Sequence, residues 1–147
     1  MRKLIAIFML VLSPFLAASD LKIENGRVVQ ELSNYEKTYE SDVYHFYIRK
    51  DIKQIGSKQF LVHTMVEYVL PDGVEYAELG YSVKRIYNYG MLDCNRRVFN
   101  LVSDIFTDET NKIVYSEVYE LGEFVAELMN TNTARYTVYK KVCVNTL

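Results

Sequence analysis

The sequence predicts an α+β fold: a single antiparallel β-sheet of about five to six strands with a C-terminal helix packed on it. Three observations predict it. Several segments of strand length alternate apolar and polar residues with period two and are separated by turn signals. Thirteen Tyr against no Trp and only two Pro is a strand-rich bias. The tail instead spaces its apolar residues as a helix does.

The chain opens with Arg2 and Lys3, then nine apolar residues, 4–12 (LIAIFMLVL). Ser13-Pro14 breaks any helix there, and Ala17-Ala18-Ser19 supplies small residues. This is the order of a secretory signal peptide, so residues 1–19 are expected to be cleaved. The apolar run is shorter than the roughly 20 residues that span a bilayer core. No later run approaches that length, so no integral membrane segment is expected after cleavage. No Cys stands near the cleavage point, so the thiol that a bacterial lipoprotein acylates is missing.

Residues 20–147 then make one domain, of ordinary size for a single core. With 50% apolar and 24% charged residues, the composition is globular. Losing Arg2 and Lys3 with the leader takes the formal charge from −2 to −4. That argues against a nucleic-acid partner, which needs a basic face to displace phosphate counterions.

Residues 20–40 are polar and hold at most a weak strand. Residues 43–49 (VYHFYIR) alternate, which places Tyr44, Phe46 and Ile48 on the buried face and His45 and Arg49 outside. Residues 50–57 read as a polar connection. In 59–70 (QFLVHTMVEYVL), Phe60, Val62, Val66 and Tyr68 share one face, with His63 and Glu67 on the other. Pro71-Asp72-Gly73 is a strong turn signal. Residues 81–92 form a Tyr-rich strand in which Gly90 marks an irregularity such as a bulge. Residues 93–96 make a bend, 98–106 a strand, 107–111 a hairpin tip and 112–119 the returning strand. At the C-terminus the 130–133 stretch offers helix caps. After it, Ala134, Val138 and Val142 fall at i, i+4 and i+8, with Arg135, Tyr139 and Cys143 on the adjacent row. Lys140 and Lys141 sit where a helix dipole favours cations.

Cys94 and Cys143 are the only cysteines. In an exported protein two thiols usually form one disulfide, and this loop would stabilise the fold by about 4 kcal/mol. A redox pair or metal ligands are the alternatives; no CxxC spacing supports them.

Little else suggests chemistry. His45 and His63 would point to one outer face with Glu67 if their strands pair, which would permit a metal or acid–base cluster. Two solvated strand histidines are the plainer reading, since no HExxH or third spaced ligand is present. No GxSxG elbow, calcium loop or phosphate loop occurs. No catalytic residue, metal ligand or cofactor is assigned. Asn95, Arg96 and Arg97 with Lys84 and Arg85 would make a small basic patch if they meet. Tyrosine supplies stiff contact area with a polar tip, so Tyr47, Tyr87 and Tyr89 are candidates for a binding face if they point outward.

Some of these residues resemble a known family. The run Asp51-Ile52-Lys53-Gln54-Ile55-Gly56 precedes Phe60-Leu61-Val62. Ser82-Val83-Lys84 leads to Leu92-Asp93-Cys94, followed by Arg96-Arg97-Val98-Phe99-Asn100-Leu101. Lys141-Val142-Cys143 closes the chain's described motifs. Together they resemble the bacterial surface-adhesin E family over about 100 residues, 44–143. The family usually carries Trp near the places held here by Val62 and Phe124. The resemblance implies an antiparallel sheet with a packed C-terminal helix, a Cys94–Cys143 bridge, and binding of host matrix or plasma proteins in at least one member.

The expectation is therefore an exported, disulfide-bonded, non-enzymatic envelope protein, periplasmic or at the cell surface, acting by protein contact. The partner would be a host matrix or plasma protein or an envelope component, and self-association into a homodimer stays open. The rival readings are a periplasmic accessory protein without host contact, and a small secreted metal-dependent hydrolase using His45 and His63.

Overall fold

A computed structural model describes residues 21–119, 126–128 and 133–145. The expected leader, residues 1–19, lies outside the described residues, as do Phe124 and the candidate caps Asn130 to Asn132.

The chain begins with a hairpin of β1 (Lys22–Glu24) and β2 (Arg27–Val29). Asn25 and Gly26 join them at φ 51° and 71°. Two left-handed residues in succession match the twist of paired strands, and Asn-Gly adopts them at least cost. A 3-10 turn at Leu32–Asn34 leads into β3 (Tyr35–Glu40) and β4 (Tyr44–Arg49). β5 (Lys53–Gly56) then turns through Ser57 and Lys58 into β6 (Gln59–Tyr68). The polar stretch expected as a plain connection thus contains a short strand.

After Pro71-Asp72-Gly73 comes a second small hairpin, β7 (Val74–Tyr76) and β8 (Tyr81–Val83). Gly73 has φ +82°, and a Cβ there would sit 2.2 Å from the Val83 carbonyl oxygen, so only glycine fits. β9 (Arg85–Asp93) and β10 (Val98–Thr107) are joined by a bend in which Asp93 Oδ1 accepts from the Asn95 and Arg96 amides, each at 3.0 Å. β11 (Ile113–Val118) and β12 (Ala126–Leu128) follow.

The main sheet holds eight strands, paired throughout antiparallel. Its path is β11-β10-β9-β6-β4-β3. β5 extends the β4 edge of β6, and β12 extends the β11 edge of β10, so the eight strands fill six positions. The α+β expectation holds broadly. The expectation of a single sheet does not, because the two small hairpins are sheets of their own.

The C-terminal helix α1 (Ala134–Tyr139) continues as a π-helical turn over Lys140–Val144. Thr133 caps it, its hydroxyl accepting from the Tyr136 amide at 3.3 Å. The predicted row Ala134, Val138 and Val142 is buried, and Cys143 reaches Cys94 at an S–S distance of 2.01 Å. These residues pack on Phe46, Ile48, Val62, Leu92, Phe99 and Leu101 to form the core of the helix face. Gly90 belongs to this contact: a Cβ there would lie 2.5 Å from Phe99 Cζ and 2.6 Å from the Asn100 oxygen. The bulge it signalled is in the partner strand, where Val102 is skipped between Leu101 and Ser103.

The opposite face is also covered. Val28 of the N-terminal hairpin packs with Tyr35, Met65, Tyr87 and Ile105 in a second core. The hairpin is tied down by Val28 N to Asn111 O and Ile113 N to Gly26 O, both 2.9 Å. Arg27 adds a bond from Nη1 to the Thr110 oxygen at 2.8 Å. This cover corrects the expectation that Arg49 and His63 face solvent: they are 8% and 6% exposed.

Candidate interaction surface

Tyr87 and Tyr89 sit on the hairpin face and are 2% and 7% exposed, so they do not form an outward binding face. Tyr47 is half-buried on the same face, and its hydroxyl donates to Glu67 Oε2 at 3.4 Å. The physical reason is Val28: alternation placed these tyrosines away from the helix, and the N-terminal hairpin occupies that side.

The two histidines are not brought together. His45 lies opposite Glu67, whereas His63 lies four residues further along β6, about 13 Å at strand rise. Glu67 is taken up by Arg85, with Nη2 to Oε1 at 2.7 Å. His63 stacks on Tyr89 with ring centroids 4.4 Å apart. Burial, reinforced by the neighbouring Arg49 charge, pushes its pKa down to about 3. Its buried Nδ1 has no hydrogen-bond partner among the described residues. Arg49 itself forks onto Asp51, with Nη2 to Oδ2 at 2.8 Å. Among the described residues no group of three or more His, Cys, Asp or Glu could hold a metal ion.

What the fold does assemble is a row of aromatics on the helix face. α1 and the π-turn run from Thr133 to Asn145, whereas β6 and β10 are ten residues long, about 33 Å. The helix ends at the disulfide, so among the described residues it shields that half of the face. On the other half, Tyr39 packs on Tyr44 at 5.6 Å between centroids. Tyr44 stands directly opposite Tyr68 across the β4–β6 pair. Tyr68 meets Tyr76 through their hydroxyls at 2.6 Å. Tyr76 contacts Phe106 at 5.7 Å, and Phe106 contacts Tyr115 at 5.4 Å. Six side chains from β3, β4, β6, β7, β10 and β11 thus form a row, with four of its five neighbouring pairs in contact and Tyr44 and Tyr68 joined as cross-strand partners. All are half-buried except Tyr39, which is exposed.

Where this row meets α1, Tyr44, Phe46, Val66, Tyr68 and Arg135 line a groove of about 260 Å³. Beside it, Asp104 accepts from Asn88 Nδ2 and from the Tyr119 hydroxyl at 3.0 Å. Burial raises the Asp104 pKa, and the Asn88 and Tyr119 hydrogen bonds and the Arg135 charge oppose this. The turns and the β7–β8 hairpin at this end of the sheet carry Asp42, Asp72, Glu75, Glu78 and Glu109, all exposed, against exposed Lys112 and half-buried Lys84, whose ammonium donates to the Tyr68 and Leu70 carbonyls. Burial also raises the Tyr68 hydroxyl, and the bond to Tyr76 adds to it.

Sequence reasoning placed Tyr44 and Tyr68 correctly on the helix face but read that whole face as core. The signal it needed was helix length, since six α-helical residues rise only about 9 Å.

The architecture has a counterpart among solved structures. Its fold is similar to that of Haemophilus influenzae protein E. The TM-score is 0.52 at 18% identity, covering 86% of this chain and 95% of protein E. No family model matches the chain, and no curated protein matches it in sequence. The likeness to protein E therefore rests on the arrangement of strands and helix. No helix among the described residues is long and apolar enough to cross a membrane.

Proposed function

We propose that this chain is an exported bacterial envelope protein that acts by protein–protein contact, not by catalysis, and that the aromatic row is its contact surface. The row itself carries the reading. Tyrosine rings give large contact area at low entropic cost, and touching rings hold one another in place before a partner arrives. The acidic loops around it favour a partner with a basic surface, whose Arg or Lys side chains can stack on the rings. The fold likeness to protein E and the resemblance to the surface-adhesin E family support an adhesin-like role. A host matrix or plasma protein is then the leading partner, with an envelope component as the alternative.

The test is capture from matrix, plasma and envelope extracts by the wild-type chain and by Tyr39→Ser/Tyr115→Ser. Both positions lie at the ends of the row, so the fold is expected to persist, checked by circular dichroism. A partner retained by wild type and lost by the variant supports the surface. A partner held equally by both removes it. Protease shaving of intact cells separates surface from periplasm: a chain left uncut does not meet a host.

A further inference from the structure

The end of the molecule furthest from the aromatic row has the opposite charge. The β5–β6 hairpin carries Lys58 at its tip and Lys53 at the start of β5, opposite Leu61 on the sheet face away from the helix. The bend after β9 projects Arg96 and Arg97, and the π-turn projects Lys140. All five are exposed. They come from three separated segments that the fold locks together. Cys94 N donates to the Lys58 oxygen at 2.9 Å, Cys94 is bridged to Cys143, and Arg97 lies 5.4 Å over the Tyr139 ring. Lys84 and Arg85, considered from sequence as part of such a patch, are at the far end of β9 and do not join it.

The carboxylates nearby offset only part of this charge: Asp93 stays ionised and removes one unit, and Asp51 is matched by Arg49, which leaves the five cations in excess. Asp93 accepts amides of its own bend, and Asp51 is forked by Arg49. The backbone N–H of Arg96, with the Gln59 side chain, holds the Asp93 carboxyl below its usual range, so it stays committed to the turn. Two apolar side chains stand out among the cations: Ile55 at the hairpin, 45% exposed, and Val144 after the disulfide, 47% exposed. A cleft of about 270 Å³ at this end is lined by Phe60, Val142, the disulfide and Lys58.

We propose that this pole docks on an anionic phospholipid bilayer. The cations match headgroup phosphates, and Ile55 and Val144 reach the headgroup–acyl boundary. A soluble polyanion would use the cations but gain nothing from two exposed apolar side chains among them; a bilayer uses both. Docked this way, the chain presents its aromatic row away from the membrane. The proposal stands independently of what that row binds.

The test is co-sedimentation of the full-length expressed chain with vesicles of phosphatidylcholine alone or with about 30 mol% phosphatidylglycerol, at about 0.1 M and about 1 M salt. Wild type is expected to sediment with the anionic vesicles at low salt and not with the neutral ones. Lys53→Glu/Arg96→Glu/Lys140→Glu is expected to lose about 100-fold or more in partition, since each surface cation is worth about five-fold. Ile55→Ser, which leaves charge alone, is expected to weaken binding about three-fold or more. Every form carries the same termini, so the differences isolate this pole. Should the triple variant fail to fold, Lys53→Gln/Arg96→Gln replaces it. Equal binding to both vesicle types overturns the proposal. So does an unchanged partition in the charge variants, or retention on heparin with none on anionic vesicles.

Discussion

His63 lies flat against Tyr89, 4.4 Å between ring centroids, in a row of buried polar side chains that crosses the hairpin face from Tyr35 through Arg49 to Ser103. Arg49 is the charged neighbour on β4, balanced by Asp51. The imidazole is therefore neutral in the folded chain down to about pH 3, while in the unfolded chain it takes a proton near its ordinary value of 6.5. The unfolded state binds the extra proton, so stability is full above pH 6.5 and is lost as pH falls toward 3. The expected slope is about 1.4 kcal/mol per pH unit. Urea denaturation of wild type and His63→Phe between these limits measures it. The variant keeps the stacked ring and should show a flatter profile. Asp104, whose pKa is raised by burial, has the opposite sign but is present in both forms and drops out of the difference.

Removing the Cys94–Cys143 bridge frees a chain segment with a sequence separation of 49. Cys94→Ala/Cys143→Ala is expected to lose about 4 kcal/mol, read by urea denaturation. Non-reducing mass analysis of the wild type should find no free thiol.

Gly90 faces the Phe99 ring at a distance that leaves no room for a methyl group. Gly90→Ala is expected to cost about 1–3 kcal/mol, because either the ring or strand β10 must move. A thermal melt decides it: an unchanged midpoint would show that the strand yields freely.

Val28, 2% exposed, is the residue through which the N-terminal hairpin seals the second face. Val28→Ala is expected to cost about 2 kcal/mol through the cavity it leaves. It should also raise the His63 pKa toward its ordinary value as that face hydrates, which an NMR titration reads directly.

Much of the architecture was legible because it follows from local rules. The alternation in 43–49 and 59–70 placed Phe46, Ile48, Val62 and Val66 correctly, and the spacing of Ala134, Val138 and Val142 placed the helix on them. The interruptions were harder. Between Leu101 and Ser103 a bulge shifts the register, so Phe99 and Leu101 share the helix face with Asp104 and Phe106 although the parity changes. Period two cannot be read across such a step. The Asn25-Gly26 turn was present in the sequence as a hairpin signal, but strands of three residues have almost no alternation to detect. Missing that hairpin turned Tyr87 and Tyr89 the wrong way. The aromatic row was beyond local reading altogether, since it depends on where a helix stops relative to strands distant in sequence.

The outermost strand, β3, is broken by a register shift between Lys37 and Tyr39. At the break, the Thr137 hydroxyl of α1 donates to Thr38 at 2.9 Å, and Lys141 pairs with Glu36 at 2.5 Å. A neighbouring copy that tried to lengthen the sheet at this rim would meet a kink and a guarding helix, with no straight ladder of amides to continue. Polymerisation strand upon strand is thereby discouraged on this side, so that crowding need not turn many copies into a fibre.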